Sequence, residues 1–207
     1  MAWMESATVA YLRTLLHRVE PYQESPLPIS DSFGMTELIR EAATLVMLIS
    51  AGWLAGKLWR SRLGFFMLAF GIWDIFYYLF LKVIVGWPHS FFDWDVLFLI
   101  PVPWWGPALS PMLVSLVLII FGSVLILNEF DESPFRAGKL SWSFHLFGIV
   151  IALYLFMAHS IKVLAQDSGG IHTQLPDQFS WPLFDLALSF MLMPILEMVI
   201  RNAKAQK

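Results

Sequence analysis

An all-α membrane protein, a bundle of about five transmembrane helices, is predicted by three features of this 207-residue chain: its composition, the length of its apolar runs and the Trp- and Pro-rich segment that separates two of them. The chain is 58% hydrophobic and 14% charged, with a mean hydropathy of +0.67, too apolar for a soluble domain of this size. Five of its apolar runs reach the roughly 20 residues that a helix needs to cross a bilayer. The segment 88–105 does not, and its mixture of Phe91, Phe92, Trp94, Trp104 and Trp105 with Asp93 and Asp95 suits the headgroup zone.

The segment 1–35 is expected to lie outside the membrane-spanning part. Trp3, Ala7, Tyr11 and Leu15 recur at helical spacing, with Arg13, His17 and Arg18 towards the end, the pattern of an N-terminal amphipathic surface helix. Pro21, Pro26, Pro28, Ser25, Ser30 and Ser32 then mark a linker. The first 20 residues have no basic region followed by an apolar core and a small-residue cleavage site, and are expected to belong to the mature chain.

The transmembrane domain is expected over 36–207. Thr36 is placed to cap a first span at about 38–56, whose Gly52 and Gly56 make a small-residue face for close helix approach, and Lys57, Arg60 and Arg62 end it. A second span at about 63–87 carries a single carboxylate, Asp74, near its middle. The apolar stretch 96–100 is too short to cross, and Pro101 and Pro103 remove backbone donors and favour extended chain, so 88–110 reads as an interfacial or re-entrant loop. Ser110 and Pro111 read as N-cap and first residue of a third span, about 111–130. A polar connection over 131–139 leads to a fourth span at about 142–165, opened by Ser141, and a loop with Gly169, Gly170 and Pro176 leads to a fifth at about 181–201, kinked at Pro194.

Lys57, Arg60, Arg62, Arg136, Lys139, Arg201, Lys204 and Lys207 all fall on one side of such an arrangement; the other receives only Arg13, Arg18, Arg40, Lys82 and Lys162. The positive-inside rule then places the C-terminus in the cytoplasm, the N-terminus outside and the Trp- and Pro-rich loop facing outward, and the expected location is the cell (inner) membrane.

Several functions lose their residues. With no Cys there is no disulfide, thiolate metal site, iron–sulfur ligation or covalent haem c. A net charge of -3 without a basic block provides no footprint for nucleic acid. No G-x-S-x-G, H-E-x-x-H, P-loop or dinucleotide fingerprint occurs, so a non-enzymatic role is favoured over catalysis.

Ionisable groups inside a bilayer cost roughly 2.5 to 3.5 kcal/mol each and need a partner or a task. Matching by depth pairs Glu41 with Lys82, His159 with Asp185, and His145 with Glu197, with Glu129 at the same inner level. His145 and His159 are 14 residues apart, about 21 Å along a helix and close to one face. That spacing resembles the paired haem-ligating histidines of cytochrome b-type membrane proteins; bis-histidine ligation needs a second histidine at each level, for which His89 or His172 stands outside and none inside. Asp74, with Tyr78 one turn on, has the geometry to protonate a quinone or relay a proton, or to act as an internal strut. His89, Asp93 and Asp95 form an H-x3-D-x-D set of the kind that holds a divalent cation.

Three functional expectations follow. The first is a non-catalytic accessory or scaffold subunit, with the lipid bilayer and other membrane subunits as partners. The second is an electron- or proton-transfer protein binding haem b or a quinone through His145, His159 and Asp74, although no cofactor is required by the sequence. The third is a small-molecule channel or transporter.

Overall fold

A computed structural model describes residues 1–15, 31–127, 137–165, 176 and 178–205. Six helices and one short β-ribbon follow in order among them: α1 (Ala2–Leu15), α2 (Asp31–Ala55), α3 (Trp59–Val85), β1 (Trp94–Val96), β2 (Trp105–Pro107), α4 (Leu109–Leu127), α5 (Lys139–Ala165) and α6 (Trp181–Ala205). Five stretches are long and apolar enough to cross a membrane: Met35–Ala55, Trp59–Val85, Leu109–Leu127, Lys139–Ala165 and Trp181–Arg201. Large apolar side chains are exposed along them, Leu54 and Val83 among them, as contact with hydrocarbon rather than water favours. The chain is a multi-pass membrane protein.

Element boundaries depart from expectation where charged side chains fold back instead of ending a helix. α3 begins at Trp59, before Arg60 and Arg62. Arg62 lays its guanidinium over Trp53 at 3.9 Å and donates from Nε to the Gly56 carbonyl at 3.2 Å, so this basic residue sits inside a helix and closes the α2–α3 turn. Gly56 is required there, because a Cβ would come within 2.3 Å of the Arg62 nitrogen. α2 starts ahead of Thr36, so Thr36 is not its cap. Ser110 is likewise already helical and donates to the Pro107 carbonyl at 2.6 Å, which anchors the entry to α4 from within.

Two compact units divide the chain. One comprises Met1–Leu45, Trp73–Met112 and Leu155–Phe179; the other comprises Val46–Ile72, Leu113–Tyr154 and Ser180–Lys207. In the second unit α3 and α4 meet backbone to backbone, since a Cβ on Gly122 would lie 2.5 Å from the Gly64 carbonyl oxygen. α5 and α6 do the same at Gly148, 2.6 Å by the same measure from the Ala187 carbonyl oxygen.

The first unit holds α1 and the Trp- and Pro-rich segment. No helix forms between Val85 and Leu109; the segment is a β-hairpin, with β1 antiparallel to β2 in the register Trp94 to Pro107, Asp95 to Gly106 and Val96 to Trp105. Hydrogen bonds from Leu97 N to the Trp104 carbonyl at 2.8 Å and from Trp104 N to the Phe98 carbonyl at 2.7 Å carry the pairing towards a tip at Pro101. Prolines are accommodated because the tip asks for no ladder donor from them. The core beneath the hairpin joins Ala10, Tyr78, Leu81, Trp87 and Ala108.

α1 buries a face other than the one its apolar spacing suggests. Ala2, Ser6 and Ala10 are buried, a small-residue row one helical turn apart, whereas Trp3, Tyr11 and Leu15 are exposed. Small side chains let α1 approach α3 closely enough for the Ser6 hydroxyl to donate to the Tyr77 carbonyl at 2.9 Å, and Trp3 meets Phe80 edge-on at 5.2 Å.

Candidate functional site

The polar groups of the first unit gather where α1, α2, α3 and the hairpin meet. Asp95 sits at the centre of the first of three clasps. Its residue is 2% exposed, and its carboxylate accepts from the Arg13 guanidinium at 3.1 Å, the Tyr78 hydroxyl at 3.2 Å and the Val96 N–H at 3.0 Å. The Arg13 guanidinium carbon also lies over the Trp87 ring, 4.1 Å from its centroid, a cation–π contact that helps keep the guanidinium in place. Burial pushes the Asp95 carboxyl above the ordinary carboxylate range; Arg13, the Val96 N–H and the Tyr78 hydroxyl act in the opposite direction.

The second clasp ties α1 to α2. Arg40 pairs with Glu5 and, at 2.7 Å, with Glu37 one turn before it, while the Thr44 hydroxyl donates to Glu5 at 3.3 Å. The third ties α2 to the hairpin: Glu41, itself buried, accepts from the Leu99 N–H at 3.1 Å. α5 adds a neutral link, the Ser160 hydroxyl donating to the Pro103 carbonyl at 2.6 Å, and Phe156 stacks on Trp104 at 6.2 Å. Backbone groups that would be costly at membrane depth are thus met by side chains of the surrounding helices.

The expected pairings are corrected in four places. Lys82 does not serve Glu41: it donates to the Gly86 carbonyl at 2.9 Å and the Pro88 carbonyl at 2.7 Å, because a cation near a helix C-terminus finds unsatisfied carbonyls close at hand. His145 does not meet Glu197: its Nδ1 bonds the Met191 carbonyl at 2.7 Å. Glu197 instead accepts from the Gly138 N–H at 2.8 Å and the Ser141 hydroxyl at 2.5 Å, and pairs with Arg201 at 2.5 Å, so it caps the start of α5. His89, Asp93 and Asp95 do not converge, and no group of three potential metal ligands occurs among the described residues. Asp93 turns back to accept from the His89 and Ser90 backbone N–H groups at 2.7 and 3.1 Å, while Asp95 is drawn inward by Arg13.

Asp74 is buried, yet the Tyr78 hydroxyl expected to work with it is given to Asp95. His159, in the first unit, meets Trp105 edge-on at 6.3 Å; Asp185, in the second, is exposed. His145 is the sole histidine of the second unit, where Phe121 and Trp142 enclose its ring edge-on at 5.1 and 5.5 Å. Bis-histidine haem ligation has no second ligand there. Glu129 lies outside the described residues.

Arg13, Glu5, Arg40 and Glu37 were not singled out by sequence reasoning as site residues. The spacing of Glu37 and Arg40 at i,i+3 inside an apolar run was the available signal for one pair. Nothing local points from Arg13 to Asp95, 82 residues away. No known protein family matches this chain, and neither a curated protein nor a solved structure is detectably similar to it.

Proposed function

We propose that the chain is a non-catalytic accessory or scaffold subunit of a bacterial inner-membrane complex. The observation behind this reading is that Asp95, Glu41, Lys82, His145 and Glu197 are each bonded to groups of the chain itself. Their common effect is to fix α1, the hairpin and the helix ends, which is work of shape rather than chemistry. A proton relay from Asp74 would need Tyr78, whose hydroxyl is already given to Asp95. Lys57, Arg60, Arg62, Lys139 and Arg201 support a cytoplasmic C-terminus, with the hairpin on the external face at the interface. Its exposed Phe91 and Phe92 are then available to lipid or to another subunit.

The test is made on the full chain extracted from its membrane in mild detergent. The expected result is a colourless protein without extractable quinone, migrating in native gels as part of an assembly larger than its own 23.7 kDa and detergent allow. A Soret band, or stoichiometric quinone, overturns the reading in favour of electron transfer. A reporter fused after Lys207 is expected to be active in the cytoplasm; an external signal reverses the orientation.

A further inference from the structure

We propose that α1 is immersed in the bilayer against the hairpin-side half of α3, and that lipid acyl chains cover its face of Trp3, Met4, Tyr11 and Leu15. Depth is the first argument. The Ser6 hydroxyl reaches the carbonyl of Tyr77, which lies eight residues before the end of its span at Val85, about 12 Å along the helix. Independently, Glu5 is met by Thr44, nine residues inside the span that begins at Met35, about 13 Å along that helix. With the 27 residues of α3, about 40 Å long, centred on a hydrocarbon core about 30 Å thick, Tyr77 lies about 7 Å inside it, so two neighbouring helices put the first turns of α1 within the core.

Polarity is the second argument, and it runs opposite to that of a helix in water. Ser6 is fully buried, and the side chains of Arg13 and Glu5 are 11% and 13% exposed. Met4 and Tyr11 are each 70% exposed and Leu15 is 74% exposed. A helix resting on the membrane from the aqueous side points its charges outward; α1 points them inward, to Asp95 and Arg40, and presents its apolar side chains to the surroundings. In water that stripe would be an aggregation surface, whereas in hydrocarbon the side-chain charges of Glu5 and Arg13 are met by Arg40 and Asp95.

Continuity is the third. Trp3 touches Phe80, and the neighbouring α3 positions Phe76, Leu79 and Val83 are also exposed and apolar, so the stripe on α1 extends a surface already belonging to a membrane span. The expected surface helix is in this reading a short helix inserted beside the spans, running from the hydrocarbon towards the hairpin.

The absence of Cys makes the test direct, since any introduced cysteine is the sole labelling site. Met4→Cys, Tyr11→Cys and Leu15→Cys, at exposed positions, are spin-labelled in the full chain and reconstituted into phosphatidylcholine and phosphatidylglycerol vesicles. Collision rates with dissolved oxygen and with an aqueous nickel chelate are then compared. The expected result is oxygen exceeding chelate at Met4 and Tyr11, with the preference declining towards Leu15. Chelate exceeding oxygen at Met4 and Tyr11 overturns the proposal, because α1 is then in water. An immobilised label shielded from both reagents at those positions also overturns it, because a second copy or another protein then covers the face.

Discussion

Replacing Arg13 with Met is expected to destabilise the detergent-solubilised protein by about 3–5 kcal/mol, the usual cost of leaving one member of a buried ion pair alone. Two contacts disappear together, the pair with Asp95 and the stacking on Trp87. Asp95→Asn should cost less, because an amide oxygen in the Oδ1 position still accepts from the Val96 N–H and the Arg13 guanidinium, while the amide NH2 in the Oδ2 position faces the Tyr78 hydroxyl, whose oxygen can accept from it. In the double variant Arg13→Met with Asp95→Asn, the loss should be smaller than the sum of the single losses, since no isolated charge remains. The defect of Arg13→Met should also depend on pH. Burial already raises the Asp95 carboxyl above its value of 3.8 in an unfolded chain, and removing Arg13 takes away a contact that opposes the rise. For a carboxyl raised in the folded state, the favourable contribution is present below the unfolded value and is lost as pH climbs through the folded one. The variant should therefore lose more stability, relative to the parent, at alkaline than at acidic pH. Thermal unfolding of the four proteins across that range is the measurement, and equal losses at every pH would show that Asp95 is not the group left exposed to the cost.

The spans were legible from sequence because their signal is local: a run of apolar residues long enough to cross needs no knowledge of its neighbours. The hairpin was legible in part for the same reason, as Pro101 and Pro103 forbid a helix wherever the segment lies. The polar contacts were not. Matching by depth placed Lys82 beside Glu41 and His145 beside Glu197, but depth ignores rotation and the backbone. Lys82 took carbonyls four and six residues ahead of it, and Glu41 took a hairpin N–H; both alternatives are backbone groups left over where regular structure ends. Arg13 shows the same limit from the other direction. Its helix reads as amphipathic on Trp3, Tyr11 and Leu15, and only the packing shows that the row Ala2, Ser6 and Ala10 is the one that fits against α3. A pattern of apolar residues tells which face avoids water; in a membrane that face need not be the one that touches protein.

His145→Leu should cost about 1–3 kcal/mol, and most of that cost should vanish in a Pro194→Ala background. Pro194 lies inside α6 and has no N–H to give to the Phe190 carbonyl, and its ring crowds the turn before it. Backbone carbonyls of that turn then need donors from elsewhere, and in a membrane no solvent supplies them. His145 is the donor, its Nδ1 held 2.7 Å from the Met191 carbonyl by the Phe121 and Trp142 rings around it. This fixes the proton on Nδ1 and makes the histidine a partner of the proline turn rather than of a carboxylate. Leucine at 145 removes the imidazole donor from the Met191 carbonyl. With alanine at 194 the helix regains an N–H and relaxes towards regular geometry, in which Ile195 N–H serves the Met191 carbonyl within α6 itself. A double-mutant cycle on thermal or denaturant unfolding should therefore give a coupling of about 1 kcal/mol or more between two residues that differ by 49 positions. Additive losses would mean that His145 is kept for something other than the proline turn, and attention would return to its Nε2.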